Sequence, residues 1–333
     1  MSFWKSMVLP VALAVGLVAT PAAAQDKIRI ALVVKSLGNG FFEAARRGAE
    51  DAAKEVGNVE IIYTGPTSTT AEGQIEVINS LISQKVDAIA VSANDPDALV
   101  PALSKAMQRG IKVISWDSGV SAKGRMLHLN PSSNALIGAT NLKLAAATLP
   151  DGKGNVAILS ATATSTNQNI WIEEMKKALP KFPGMTIVTT VYGDDLSDKS
   201  YRETQALLKA HPEVKTIIAP TSVGIVAAAQ AVKDAGKIGQ VHVTGLGLPS
   251  EMAGAIKSGA SKSFAIWNPI DLGYTATLLA YDLVKSKATS VAPGTKLKAG
   301  RMGEITIGDN AEAAMSEPFT YDASNIDQFA KIF

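Results

Sequence analysis

The chain of 333 residues is 47% hydrophobic and 19% charged, contains no cysteine and has a formal net charge of +2. The lack of cysteine excludes disulfides, thiol nucleophiles, thiolate metal sites and a lipid anchor on cysteine. The balanced charge includes no basic run and no basic stripe interleaved with aromatic residues, which argues against a nucleic-acid partner. The length exceeds that of one usual hydrophobic core, so we expect two domains.

The N-terminus has the composition of an export signal. Lys5 precedes an uncharged run over residues 6–20, and small residues ending at Ala24 follow. A short basic region, an apolar run too short to cross a bilayer and an Ala-x-Ala site predict a cleaved signal peptide over residues 1–24. An ordinary N-terminal core helix is the alternative. No later stretch has about twenty uninterrupted apolar residues, so we expect a soluble mature chain.

Strand and helix patterns alternate along the first part of the mature chain. Short β-branched runs predict buried strands, and apolar residues at helical spacing, such as Ile75, Ile78 and Ile82, predict amphipathic helices. The predicted strands cover residues 28–34, 59–63, 88–92 and 112–116, and the predicted helices 41–56, 71–85 and 96–109.

The alternation then starts again. The predicted helices are 134–147, 169–179, 201–210, 224–235 and 270–285, and the predicted strands 155–159, 186–192, 216–219, 242–245 and 263–267. A last short strand is expected over residues 302–307, ahead of a polar C-terminus. Alternating strands and helices imply mostly parallel sheets with helices on both faces. The predicted fold class is therefore α/β, with two doubly wound, Rossmann-like lobes in tandem.

Open α/β sheets bind ligands at the carboxyl ends of their strands. The loops predicted there carry hydrogen-bonding side chains, namely Lys35, Asn39, Asn94, Asp117, Asn167, Gln168, Thr221, Ser222 and Asn268. Aromatic rings are present as well, in Phe41, Phe42, Trp116, Trp171 and Trp267. Amides, carboxylates and ring faces match the hydroxyl edges and C–H faces of a sugar.

Several of these residues also fit purely structural roles. Asp117 follows a strand, where a turn or a helix cap is the alternative to a ligand contact. Phe41 and Phe42 begin a helix, and at least one of them is expected to pack in the core. Trp171 falls inside a predicted helix and is interpreted as a packing residue, outside the candidate site.

The sequence offers no obvious catalytic or metal-binding arrangement. The three histidines, His128, His211 and His242, are scattered and lack metal-ligand spacing. The cluster of Asp194, Asp195 and Asp198 is better interpreted as a polar loop than as a metal site, because the spacing and terminal Glu of an EF-hand are absent. We therefore predict no metal and no catalytic residue.

Glycine-rich segments do not match a nucleotide-binding motif. The segment at 38–40 lacks the third glycine of a dinucleotide fingerprint, and in the segment at 245–249 a proline replaces the expected helix start. Neither a phosphate-binding Gly-Lys-Ser/Thr nor a Gly-x-Ser-x-Gly elbow is present. We therefore predict no cofactor.

The opening of the mature chain resembles a known family. The segment Lys35-Ser36-Leu37-Gly38-Asn39-Gly40-Phe41-Phe42, with 86–89, 96–97, 110–113 and Asp117, is similar to periplasmic pentose- and hexose-binding proteins of the ribose-binding type. The resemblance extends over essentially the whole mature chain. It implies a type I periplasmic binding protein, a sugar receptor of an ABC importer, located in the periplasm.

Within this family the chain resembles the rhamnose-binding and autoinducer-2-binding branch. The segments that carry this likeness include 63–67, 106–110, 115–118 and 217–220. By resemblance to autoinducer-2 binders, ligand contacts are expected from Lys35, Asp117, Gln168 and Pro220. Three positions depart from that pattern: Asn167 and Thr221 stand where acids are expected, and Ser222 where alanine is expected. These departures imply a different polyol, and segments 157–162, 167–171, 245–252 and 267–273 favour an L-rhamnose receptor.

The resemblance also implies how the two lobes are organised. The chain is expected to cross between them near Asn130, Trp267 and Arg301, with the sugar held in the cleft. The N-terminal lobe would comprise 25–130 and 268–301, and the C-terminal lobe 131–267 and 302–333. A closed, ligand-bound monomer would deliver the sugar to an inner-membrane permease with its ATPase.

Two other functions remain open at this stage. One is a receptor for autoinducer-2 or another sugar that serves signalling or chemotaxis through a chemoreceptor. The other is an exported carbohydrate enzyme, which would need two suitably separated carboxylates. Among the cleft loops, only Asp117 is a convincing candidate acid, so the sequence favours a binding protein that is not an enzyme.

Overall fold

The computed structural model describes Met1 and residues 27–333. Apart from Met1, the predicted signal peptide over residues 1–24 lies outside the described residues. Within the described ranges, no helix combines the length and apolarity needed to cross a membrane.

The strands of the described residues fall in both halves of the chain. The first nine are β1 (Ile28–Val33), β2 (Val59–Thr64), β3 (Ala88–Val91), β4 (Lys112–Trp116), β5 (Leu127–Asn130), β6 (Gly154–Ser160), β7 (Met185–Tyr192), β8 (Val214–Ala219) and β9 (His242–Gly245). The others are β10 (Ser263–Ile266), β11 (Lys296–Lys298), β12 (Glu304–Thr306), β13 (Glu312–Ala314) and β14 (Phe319–Asp322).

The helices lie between these strands. They are α1 (Gly40–Val56), α2 (Ala71–Ser83), α3 (Val100–Gln108), α4 (Asn134–Ala146), α5 (Thr166–Ala178), α6 (Ser197–Ala210), α7 (Ser222–Asp234), α8 (Pro249–Ser258), α9 (Pro269–Lys285) and α10 (Ile326–Phe329).

Two parallel sheets organise the molecule. The first has the strand order β13-β5-β4-β3-β1-β2, and with α1, α2, α3 and α9 it forms the N-terminal lobe. The second has the order β7-β6-β8-β9, and with α4 to α8 it forms the C-terminal lobe. Antiparallel pairing of β10 with β14 extends the second lobe. The predicted α/β class with two doubly wound lobes is confirmed.

Helices α1 and α9 pack against each other through two glycines. A Cβ atom added at Gly48 would lie 1.7 Å from the carbonyl oxygen of Ile270, and one added at Gly273 would lie 1.9 Å from that of Ala45. Only residues without a side chain allow the two backbones to approach this closely. This contact fixes the position of the first turn of α1, which carries Phe41 and Phe42.

The chain crosses between the lobes three times. The first crossing joins β5 to α4, the second joins β10 to α9, and the third joins β13 to β14. The backbone N–H groups of Met315 and Ser316 donate to the carbonyl oxygens of Asn130 and Pro131, so the first and third crossings run side by side.

The third crossing differs from the boundary expected at Arg301. Strand β13 pairs in parallel with β5 of the first sheet, so the chain remains in the N-terminal lobe until after Ala314. Residues 302–314 had been assigned to the C-terminal lobe. A three-residue edge strand with a partner about 180 residues away leaves no local sequence pattern.

Several elements differ from the sequence prediction at their ends. Helix α3 begins at Val100 rather than residue 96, because the Asp95 carboxylate accepts hydrogen bonds from the N–H groups of Asp97 and Ala98 and holds a turn there. Helix α5 begins at Thr166 rather than residue 169, which places Asn167 and Gln168 in its first turn.

Helix α8 was absent from the prediction because Pro249 was interpreted as unsuited to a helix start. The structure places Pro249 at the first position of this helix. Proline is well tolerated there, since the first N–H groups of a helix have no intrahelical acceptor and the proline φ suits the helix. The short strands β5, β11, β13 and β14 were also missed.

Candidate functional site

A cavity lies between the lobes, at the carboxyl ends of the strands of both sheets. The space between its lining atoms, part of which is open to solvent, is ≈ 390 Å³. Its lining consists of Lys35, Asn39, Phe41, Phe42, Asp117, Asn167, Gln168, Trp171, Asp195, Pro220, Thr221, Ser222, Leu246, Ile266 and Trp267. Eleven of the thirteen predicted site residues are among them.

The remaining two predicted residues, Asn94 and Asn268, lie outside this lining. The Asn94 amide donates hydrogen bonds to the carbonyl oxygens of Lys35 and Thr70, at 2.9 and 3.1 Å. Asn268 caps α9, with Oδ1 accepting from the N–H of Ile270 at 2.9 Å. Asn94 therefore holds the loop that carries Lys35, and Asn268 starts a helix.

Sequence reasoning missed four lining residues, of which two bear polar groups. Trp171 was interpreted as packing; it is buried, but it shares one face of α5 with Asn167 and therefore lines the cavity. Asp195 lies in the loop after β7, which the sequence prediction does not include. The rule that predicted the other loops applies equally to this one. Leu246 and Ile266 follow or end strands and complete the apolar wall.

Lys35 is the central charge of the cavity. It follows β1 and is only 4% exposed. Its Nζ donates to Ser165 Oγ at 2.7 Å and to Asn167 Oδ1 at 2.9 Å, both in the C-terminal lobe. Burial lowers the pKa of Lys35, while Asp117 and Asp195 oppose that shift. A lysine from one lobe is thus held by polar groups of the other.

Asp117 contributes a buried carboxylate from the end of β4. Its Oδ2 accepts from Ser92 Oγ at 2.7 Å, and its Oδ1 accepts from Asn167 Nδ2 at 3.1 Å. Burial raises the pKa of Asp117, and attraction to Lys35 and the two hydrogen bonds partly offset this rise. The backbone adopts a left-handed φ of 57°, which aspartate tolerates better than most residues.

Two amides from the first turn of α5 complete the polar side. Asn167 Oδ1 accepts from Lys35, and its Nδ2 donates to Asp117, so one amide joins both charged groups. Gln168 Oε1 accepts from Ser160 Oγ at 2.8 Å and from the N–H of Ala161 at 2.7 Å. Since the protein occupies this oxygen, Gln168 presents its amide N–H groups for a ligand.

Aromatic rings form the other side of the cavity. Phe41 and Trp267 meet edge to face at a centroid distance of 6.2 Å, and Trp171 and Trp267 lie 5.6 Å apart. The indole Nε1 of Trp267 is buried without a hydrogen-bond partner among the described residues. Buried donors are normally paired, so this N–H is a candidate contact for a polar ligand.

Asn39 and Thr221 line the cavity and also cap helices. Asn39 Oδ1 accepts from the N–H of Phe41 at 2.9 Å at the start of α1. Thr221 Oγ1 accepts from the N–H of Gly224 at 3.1 Å at the start of α7. The capping role fixes both side chains at the cavity wall.

The two lobes are closed on each other around this cavity. Besides the contacts of Lys35, Thr69 Oγ1 donates to the carbonyl oxygen of Asp194 at 2.7 Å, and Thr164 Oγ1 donates to that of Asn94 at 3.0 Å. These bonds join loops of opposite lobes. A ligand in the cavity would therefore contact both lobes at once.

The fold and the cavity agree with the comparison to known families. Residues 30–288 match the family model described as periplasmic binding protein domain. The chain belongs to the periplasmic binding proteins. It is of the ribose type, a family of sugar-binding receptors of ABC transporters.

Individual relatives of this periplasmic binding protein bind several sugars. The D-ribose/D-allose-binding protein of Pseudomonas aeruginosa is 32% identical over 236 residues, which are 68% of this chain and 73% of the relative. An ABC transporter solute-binding protein of Clostridium phytofermentas, solved with L-rhamnose, is 37% identical with a TM-score of 0.87 over 92% of this chain and 99% of that one. LsrB of Clostridium saccharobutylicum, solved with AI-2, is 23% identical with a TM-score of 0.85 over 91% and 99%, a likeness of fold alone.

Membership in this family decides the question of catalysis. The structure places a second acid, Asp195, in the cavity beside Asp117, so the scarcity of acids in the cleft no longer argues against a hydrolase. The homologues, however, are sugar receptors without enzymatic activity. The protein is therefore a binding protein and not an enzyme.

Proposed function

We propose that this protein captures L-rhamnose in the periplasm and delivers it to an inner-membrane ABC permease with its ATPase. The observation that carries the proposal is the cavity between closed lobes, which combines buried Lys35 and Asp117, two amides and an aromatic wall, with the Asn167 amide joining the two charged groups. A relative that is 37% identical over nearly its whole length was solved with L-rhamnose, which supports this ligand over other sugars.

The chemistry of the cavity suits a deoxyhexose. The hydroxyl groups of the sugar donate to Asp117 and accept from Lys35 and Gln168, while its methyl group packs on Phe41 or Trp267. Protein groups left unpaired by a wrong ligand carry a desolvation penalty, so the polar side selects the hydroxyl pattern.

Ligand binding favours the closed state. Residues 27–130 and 268–315 form one moving lobe, and residues 131–267 and 316–333 form the other, with the three crossings as the hinge. Only the closed arrangement offers Asp117 from one lobe and Gln168 from the other to the same ligand, which shifts the population toward it. The closed monomer is the form that docks on the permease, after export directed by residues 1–24.

The proposal is tested by calorimetric titration of the mature protein with L-rhamnose, after unfolding and refolding to remove any carried-over sugar. We expect one-to-one binding that Asp117→Ala weakens by about 100-fold or more, since two charge-assisted hydrogen bonds contribute about 3 kcal/mol. Asp51→Ala is the control, because Asp51 forms an exposed pair with Lys54 at 3.8 Å on α1 and such pairs contribute little.

Other outcomes separate the ligand from the receptor class. Binding of ribose, allose or autoinducer-2 but not of L-rhamnose would overturn the ligand and favour a receptor for another sugar or for signalling through a chemoreceptor. No binding of any of these compounds would overturn the proposal.

A further inference from the structure

The loop between β7 and α6 brings a second carboxylate to the cavity. Its residues Asp194 and Asp195 both adopt left-handed backbone conformations, with φ of 55° and 53°. The side chain of Asp194 pairs with Lys199 at 2.5 Å, away from the cavity lining, whereas Asp195 is part of that lining. Two neighbouring acids of the same kind are thus directed to different surroundings.

The Asp195 carboxylate is oriented by one protein hydrogen bond. Its Oδ1 accepts from the hydroxyl of Thr221, the residue that caps α7. Within the described part of the chain, the Asp195 carboxylate makes this one hydrogen bond. Asp117, by comparison, accepts from both Ser92 and Asn167. Asp195 therefore retains more acceptor capacity for a ligand than Asp117 does.

Charge explains why a second acid is stable here. Lys35 attracts both Asp117 and Asp195, and this attraction lowers the pKa of each acid against the rise caused by burial. Two of the three donor hydrogens of Lys35 are used by neutral partners, Ser165 and Asn167. The cation thus balances charge without occupying the oxygen atoms of Asp195.

The same loop also contacts the N-terminal lobe when the lobes are closed. The carbonyl oxygen of Asp194 accepts from Thr69 Oγ1 of the N-terminal lobe at 2.7 Å. Closure therefore brings the Asp195 carboxylate and the N-terminal lobe together around the cavity. A ligand hydroxyl bonded to Asp195 would therefore face the N-terminal lobe when the lobes are closed.

We propose that Asp195 is the ligand-binding carboxylate of the C-terminal lobe and accepts a hydrogen bond from one sugar hydroxyl, with Thr221 as its positioning residue. This inference rests on the proposed function, because it assigns a contact within the same site. It defines the ligand class as a neutral polyol that donates hydroxyl hydrogens to acids on both sides of the cleft.

The test compares Asp195→Asn with the matched control Asp194→Asn in calorimetric titrations with L-rhamnose. Loss of one charge-assisted hydrogen bond, about 1.5–3 kcal/mol, predicts a weakening of roughly 10- to 150-fold for Asp195→Asn. Asp194→Asn should change the affinity by less than about twofold, because the pair with Lys199 is partly exposed. Thr221→Val, which keeps Asp195 but removes its donor, should give a smaller loss.

A second readout distinguishes a ligand contact from a structural effect. Wild type and Asp195→Asn are each titrated with L-rhamnose and with its 2-, 3- and 4-deoxy analogues. We expect one hydroxyl deletion to weaken the wild type strongly and the variant little, which identifies the hydroxyl bound by Asp195. Equal weakening of all four ligands by the variant, or wild-type affinity in the variant, would refute the assignment.

Failure of the proposed function has a different signature. If the wild type does not bind L-rhamnose but binds ribose or allose, the same variants are compared with that sugar and its deoxy analogues, and the assignment of Asp195 is judged on them. If none of these sugars binds to the wild type, both proposals fail.

Discussion

Replacing Lys35 with methionine tests the electrostatic centre of the site. In the closed protein, Lys35 Nζ donates to Ser165 and Asn167 of the opposite lobe, and its charge interacts with those of Asp117 and Asp195. Methionine has a similar length and fills the buried space, but it removes both hydrogen bonds and the positive charge. The perturbation is therefore electrostatic more than steric.

The expected loss of affinity follows from the hydrogen bonds that Lys35 makes when the lobes close. Each hydrogen bond from a charged donor contributes about 1.5–3 kcal/mol, and truncating one partner of a buried charged network costs about 2–5 kcal/mol of binding free energy. The desolvation of Lys35 on closure offsets part of this stabilisation. We therefore expect Lys35→Met to lose roughly 3 kcal/mol of binding free energy, which is a loss of about 100-fold in affinity.

The substitution also changes how binding depends on pH. Lys35 is the largest influence that lowers the pKa of Asp117 against burial, so its removal raises that pKa further. The ionised carboxylate is the better acceptor for a sugar hydroxyl, and it is lost as the pH falls through its pKa. The affinity of Lys35→Met should therefore begin to fall at a higher pH than that of the wild type.

Calorimetric titrations with L-rhamnose from pH 7.5 downward measure both effects. Lys176→Met serves as the control, because Lys176 forms an exposed pair with Glu173 at 2.7 Å on α5, outside the cavity lining. Affinity of Lys35→Met within about threefold of the wild type, with the same pH dependence, would refute the electrostatic role that we assign to Lys35.

Two further predictions concern stability. Burial lowers the pKa of His128 from 6.5 to about 4, so the unfolding free energy should fall by about 3 kcal/mol as the pH drops from 6.5 to 4. In urea unfolding, His128→Gln should flatten this dependence, whereas a flattening of equal size in partly exposed His211→Gln would contradict the assignment. Gly48→Ala should destabilise the protein by about 2–3 kcal/mol, since its Cβ would lie 1.7 Å from the Ile270 carbonyl oxygen. Gly254→Ala, with open space around its Cβ in α8, should stabilise by up to about 1 kcal/mol, and equal effects of both changes would contradict the steric reasoning.

The elements that the sequence predicted best have a clear local pattern. Helix α1 buries residues at helical spacing, and strands such as β4 and β9 are short runs buried on both faces. The sequences of helix α8 and strand β13 have no such local pattern. Pro249 is compatible with either a loop or a helix start, and only its position at the first turn decides between them.

The site was predicted to a large extent because it follows from topology. Parallel strands of a lobe end at one edge, so Lys35 and Asp117 are expected at the edge of one sheet and Gln168 at the edge of the other. The same rule applies to the loop after β7, which carries Asp195. That Asn94 supports the loop of Lys35 instead of lining the cavity depends on the direction of one side chain.

The sequence by itself determined the α/β class, the two lobes and the polar and aromatic character of the cleft, because short-range periodicity and residue type carry that information. The tertiary structure alone decided where the chain crosses for the third time, since β13 pairs with β5 across a long separation in sequence. It also decided that one lysine meets acids of both lobes, because Asp195 of the C-terminal lobe approaches Lys35 and Asp117 of the N-terminal lobe only when the two lobes close. Contacts between distant segments arise from packing of the whole chain, and no local pattern records them.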